Sequence, residues 1–134
     1  MITYLIDSDW IIDYLKGKEE IVERLKSLSS KGLAISVISL AEVYEGIYSS
    51  KNLRKHMKGF HDFLTGVRIL DITDNIARIF GEKRAKLRQE GKLIDNLDLF
   101  IAATCLHYDL ALLTNNIRHF NRFKELKIGI SRQD

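Results

Sequence analysis

Four short apolar runs, each separated from the next by stretches of helical periodicity, set the tightest limit on what this chain can fold into. They are Ile2–Ile6, Leu33–Ile38, Val67–Leu70 and Leu110–Leu113. Each is too short for a core helix and apolar on both faces, the pattern of a strand covered on both sides in a parallel sheet. Lys127–Ile130 is a weaker fifth candidate. Between them lie helical segments: Trp10 to Leu15, ending near Gly17; Glu19 to Leu28, ending at Gly32; a helix opened by Ser39 with Val43, Ile47 and Tyr48; Asn52 to Gly66; Thr73, as a cap, to about Gln89; and Asp95–Tyr108. Asn116–Phe120 reads as a short turn. Strands alternating with helices predict an α/β three-layer sandwich, a parallel sheet of four to five strands flanked by helices. A chain of 134 residues is the size of one domain, so 1–134 is read as a single unit.

With 46% apolar and 29% charged residues, the chain has enough hydrophobic side chains for a core. Its single cysteine, Cys105, excludes an internal disulfide and a cysteine zinc site, and sits among apolar helix positions. No apolar run approaches the ~20 residues of a membrane span, and the first residues lack a basic, cleavable leader. A cytoplasmic location is therefore expected. Lys and Arg exceed Asp and Glu by 21 to 18, a net charge of +3 that permits a polyanionic partner without requiring one.

Ligands of open parallel sheets bind beyond the carboxyl ends of the strands, where strand order switches. Asp7 directly follows the first strand, Glu42 falls in the first helical turn after the second, and Thr114, Asn115 and Asn116 follow the fourth. Asp98 opens the helix before the fourth strand, and periodicity alone does not carry it to this rim. Each carboxylate also has a purely structural reading. Asp7 or Ser8 suits a helix cap, Ser39-x-x-Glu42 has capping-box spacing, and Asp98 suits a helix N-terminus. Gathered without an arginine, however, the three would repel one another and hold their protons. A hard divalent cation, Mg²⁺ or Mn²⁺, removes that cost, lowers the pKa of a bound water and polarises a phosphoryl oxygen.

The segments carrying these acids are Tyr4-Leu5-Ile6-Asp7-Ser8-Asp9-Trp10, Ile38-Ser39-Leu40-Ala41-Glu42-Val43, Asp98-Leu99-Phe100-Ile101-Ala102-Ala103 and Leu113-Thr114-Asn115-Asn116-Ile117-Arg118-His119-Phe120. In order and spacing they resemble the four motifs of PIN-domain ribonucleases, in particular VapC-type toxins of toxin–antitoxin systems. The resemblance spans nearly the whole chain. It implies an endoribonuclease with a Rossmann-like sheet, in which Asp7, Glu42 and Asp98 match the acids that hold Mg²⁺. Ser8 matches a small hydroxyl position, and Asp9 stands where many relatives have asparagine. Asp95 reads as a cap or supporting carboxylate, while Thr114 and Asn116 would orient waters. Asn116 occupies the fourth acidic position as an amide, which argues against a tightly held second metal. The resemblance also implies RNA as substrate, a cognate antitoxin protein and a homodimer.

Basic residues gather at Lys51–Lys58, Lys83–Lys92 and Arg118–Lys124; within them Arg84, Arg88, Arg118 and Arg122 are the candidates for RNA phosphate contacts. His56, His61, His107 and His119 read as surface or packing residues, although His119, just beyond the fourth strand, falls on the carboxylate rim; Tyr44, Ile47, Tyr48, Phe60 and Phe63 read as core. Two other functions compete. A phosphoacceptor receiver domain would use Asp71 and Thr114 but leaves Glu42 and Asp98 idle. A catalytically silent binding protein would keep the fold and lose the chemistry.

Overall fold

The computed structural model describes residues 1–129. Five strands, β1 (Tyr4–Ile6), β2 (Leu33–Ser36), β3 (Arg68–Leu70), β4 (Ala111–Leu113) and β5 (Lys127–Ile128), form one sheet in the order β3-β2-β1-β4-β5. All neighbours are parallel, with Leu5 opposite Ala34 and Leu112, and Ile6 opposite Leu113. The helices are α1 (Ser8–Leu15), α2 (Glu19–Leu28), α3 (Val37–Tyr48), α4 (Leu53–Leu64), α5 (Asp74–Gln89), α6 (Asn96–Tyr108) and α7 (Ile117–Phe120).

Strand side chains alternate between two cores, as a pleated strand requires. Leu5, Ala34 and Leu112 face one layer with Leu87, Leu99, Ile101, Cys105 and Phe120. Ile6, Ile35 and Leu113 face the other with Trp10, Ile11, Leu25, Val43 and Phe60. The three-layer α/β sandwich expected from the apolar runs is therefore the observed architecture, and Cys105 is buried as expected. The receiver reading fails on topology: β3 lies at the sheet edge, and Asp71 beyond it is exposed and separated from β1 by β2.

Several boundaries move. The second strand ends at Ser36 because the Ser36 hydroxyl accepts from Ile38 N at 3.1 Å and caps α3. Ser39 consequently lies inside the helix, fully buried with its hydroxyl unpartnered, and the Ser39–Glu42 capping box does not form. Glu42 sits in the second turn of α3, one turn later than expected. The first strand is shorter than its apolar run because Thr3 N and Tyr4 N both turn to Gly32 O. Ile130, assigned to the fifth strand from sequence, lies outside the described residues. Tyr48 is 68% exposed rather than core, since α3 turns it away from the sheet.

Candidate metal centre

The chain runs from β1 outward to β3 on one side and returns to β4 on the other, so strand order switches between β1 and β4. The carboxyl ends of these two strands place Asp7 beside Thr114. Thr114 Oγ1 donates to Asp7 Oδ2 at 2.7 Å and itself accepts from Asn116 N at 2.9 Å. Asp7 also caps α1, its Oδ1 accepting from Ser8 N at 2.8 Å. Only 6% exposed, this carboxyl has its pKa raised by burial, against the opposing pull of Thr114 and Ser8, with the charge of Asp98 adding to the rise.

Asp98 reaches the same place by a route the sequence pattern does not show. Helix α6 ends at Tyr108, immediately before β4, so its first turn lies about 20 Å away, at the end where β4 finishes. There Asp95 caps the helix, accepting from Leu97 N at 3.0 Å and Asp98 N at 3.4 Å. Asp98 Oδ2 lies 3.2 Å from His119 Nδ1, which is 2.9 Å from the Asn116 side-chain amide. His119 Nδ1 faces both the Asn116 amide nitrogen and the Asp98 carboxylate, and the ring tautomer sets which of the two it bonds. His119 is thus part of the site rather than a surface residue. Its position one turn after Asn116 was the available signal.

Glu42 comes in from α3, half-buried. Its pKa is raised first by burial, against a hydrogen bond from the Ser8 side chain, and then by the charges of Asp7, Asp98 and Asp95. The three acids named from sequence therefore sit within electrostatic reach of one another. Among the described residues, no lysine or arginine pairs with Asp7, Asp9, Glu42 or Asp98.

Asp9 carries an unusual load. Its Oδ2 accepts from Asn115 N at 2.9 Å, whereas its Oδ1 is buried with no partner. Burial first, then the charge of Asp7, pushes its pKa up to about 7. Asp13, one turn on, is 8% exposed and holds the Asn115 side chain at 3.2 Å and Lys18 at 3.2 Å. Sequence reasoning gave Asp13 no role, although its i,i+4 spacing from Asp9 places both on one face of α1. Together Asp9 and Asp13 strap the β4–α7 turn to the rim.

Between about pH 4 and pH 7 the folded chain keeps a proton on Asp9 that the unfolded chain has released, so stability falls as pH rises through this window. Discounting for its partial exposure, the penalty above pH 7 is about 2 kcal/mol. Asp9→Asn is expected to remove it: in chelator, urea unfolding should show a smaller stability loss from pH 5.5 to 8 than wild type. An unchanged loss would mean that Asp9 is ordinarily solvated.

Among the described residues, no three His, Cys, Asp or Glu side chains are placed so that together they could hold a metal ion. The donor chemistry nevertheless fits a hard dication. Mg²⁺ takes one or two carboxylates and keeps several waters, so an open set of acidic oxygens suits it where a full cage would suit Ca²⁺. The mutual repulsion of Asp7, Glu42 and Asp98, with no lysine or arginine paired to them among the described residues, is the electrostatic deficit such an ion would fill.

Of the four arginines expected to meet RNA, two have protein partners. Arg84 Nε donates to Asn96 Oδ1 at 2.9 Å, and Arg122 Nη1 donates to Lys92 O at 2.9 Å and Leu93 O at 3.5 Å. Arg88 and Arg118 are exposed.

The PIN domain family model matches residues 4–126 of this chain. Ribonuclease VapC2 of Haemophilus influenzae is 34% identical over 128 residues, 95% of this chain and 96% of the relative. Ribonuclease VapC2 of Rickettsia felis is 31% identical over 125 residues, 92% of this chain and 93% of the relative. Among solved structures, VapBC2 from Rickettsia felis bound to a DNA fragment from its promoter superposes with a TM-score of 0.88 at 30% identity, covering 96% of this chain and 98% of that one. DNA-bound VapBC from Salmonella typhimurium gives 0.89 at 28% identity, covering 98% and 99%.

Proposed function

This chain belongs to the PIN domain family, and we propose on that footing that its rim acids form the active centre of a VapC-type toxin endoribonuclease. The observation that carries the assignment is the convergence of Asp7, Glu42 and Asp98, unpaired by any lysine or arginine among the described residues, where strand order switches, with Thr114 pinning Asp7 at 2.7 Å. The enzyme is metal-dependent, with Mg²⁺ as its ion and Mn²⁺ as a working substitute. We read 1–134 as one PIN domain, on the ground that all five strands share one sheet.

Asp7 and Asp98 would hold the ion directly, and Glu42 would meet it or one of its waters. When bound, a divalent cation neutralises phosphate charge and lowers the pKa of a water. Everything else falls to the chain. Thr114 and Ser8 fix both oxygens of Asp7, so the carboxylate loses no entropy on engaging. His119 fixes Asp98, and Asn116 orients His119. Glu42, held by Ser8 and carrying a raised pKa, orients the attacking water and takes its proton. Water attacks phosphorus, the bond to the leaving ribose oxygen breaks, and that oxygen takes a proton from solvent while Glu42 returns its own.

A cognate antitoxin protein and a second copy of this chain are the protein partners. Support comes from Tyr48 and Leu53, exposed on α3 and α4, which a partner would cover. Among the described residues no helix is long and apolar enough to cross a membrane, in keeping with action in the cytoplasm. Incubation with single-stranded RNA tests the reading. Cleavage should appear with Mg²⁺ or Mn²⁺, vanish in EDTA and return on adding excess metal; cleavage that persists in EDTA would contradict it.

A further inference from the structure

On the β5 side of the molecule, the C-terminal half of α5, the α5–α6 loop and the segment after α7 enclose a cavity of about 360 Å³. Its wall carries Lys86, Lys92, Arg122 and Lys124, with Lys83 deeper in. Two carboxylates share it: Glu125, already paired with Lys83 at 3.1 Å, and Glu90. The cavity is therefore strongly cationic. Buried Leu87 and Phe123 give it a rigid apolar floor.

A helix dipole explains Lys86, which lies in the last turn of α5, but not Lys92, Arg122 or Lys124, which come from other segments. Lys86, Lys92 and Lys124 are exposed and have no carboxylate partner among the described residues. Five cations against two carboxylates leave a net positive charge whose repulsion a polyanion relieves.

The cavity is also tied to the acid cluster. Arg122 clamps the carbonyls of Lys92 and Leu93, in the loop that leads to Asp95 and Asp98. Arg122 follows His119, which lies beside Asp98, by three residues along the chain, in the turn just after α7.

We propose that this cavity is a docking site for the sugar–phosphate backbone of the RNA substrate, flanking the scissile bond. Lys86, Lys92 and Lys124 meet phosphate oxygens, while Arg122 holds the loop that sets their spacing to the acids. Such contacts position the strand and carry no base readout. The inference rests on the chain being a ribonuclease, and the test separates the two.

Binding of a labelled single-stranded RNA of about 12 nucleotides to the full chain is followed by fluorescence anisotropy in EDTA, so that no cleavage intervenes. Lys86→Gln/Lys92→Gln/Lys124→Gln should raise Kd about tenfold and flatten the salt dependence by about 0.7 in slope for each phosphate no longer neutralised. A control of equal charge change on other surfaces, Lys26→Gln/Lys51→Gln/Lys55→Gln, should stay within about twofold of wild type, as should duplex DNA binding by the first triple variant. With Mg²⁺ present, the first variant should raise KM for RNA and leave kcat within about twofold. Equal losses in both triple variants, or a loss confined to duplex DNA, would overturn the docking site. Wild-type RNA cleavage with unaltered binding by the first variant would overturn the docking site alone. A wild type that cleaves no RNA with either metal would overturn the ribonuclease reading beneath it.

Discussion

Asp7→Asn is expected to cut metal-dependent RNA cleavage by roughly a thousandfold or more, about 4 kcal/mol of barrier, while the melting temperature hardly moves. The two halves of this expectation have separate physical origins. Activity falls because the amide withdraws an anionic oxygen from a site that works by attracting a dication. Stability holds because the asparagine can keep both hydrogen bonds. Its oxygen still accepts from Ser8 N, and its NH₂ donates to Thr114 Oγ1 once that hydroxyl turns. The change also removes a buried charge that Asp98 repels, so folding free energy should stay within about 1 kcal/mol of wild type or improve. Thermal melting beside the cleavage assay checks both halves. A variant that unfolds would make Asp7 structural, and one that cleaves at full rate would remove it from the site.

Gly32→Ala is the opposite case, a large loss of stability with no change at the acids. Gly32 leads into β2 with φ at +88°, a conformation that costs an alanine about 1–2 kcal/mol. The added Cβ would also run into the Met1 carbonyl and stand 2.8 Å from Ile2 Cα. Relief requires the N-terminal segment to shift, and that segment holds its place through Thr3 N and Tyr4 N on Gly32 O. Adding the strain to weakened hydrogen bonds gives about 3 kcal/mol, or roughly 10 °C in melting temperature for a chain of this size. Calorimetry would measure it. A shift of only a degree or two would show that the first residues move aside freely.

The layers and the place of Asp7 were legible in the sequence because both follow from short-range patterns. Apolar runs become buried strands, and residues just after the strands line the rim. The start of α3 was not legible, because Ser36 and Ser39 are both good caps and sequence spacing cannot choose between them. Packing chose Ser36, since β2 hydrogen-bonds to β3 only as far as the Ser36–Leu70 pair. Asp98 needed the resemblance, because its position depends on how α6 runs back to the start of β4. The contacts that His119, already on the rim by sequence, and Asp13 make there were missed for a related reason. Their partners lie 21 and 102 residues away, a distance over which side-chain geometry leaves no periodic trace. The partners of Arg84 and Arg122 belong to the same class.

Calorimetric titration of Mg²⁺ into the chain, and into Asp7→Asn, Glu42→Gln and Asp98→Asn separately, bears most directly on the claim that these acids share one ion. Wild type should bind, and each single variant should bind at least tenfold more weakly, because removing any one of three charges around a common ion lowers its affinity. Wild-type affinity in all three variants would contradict the account.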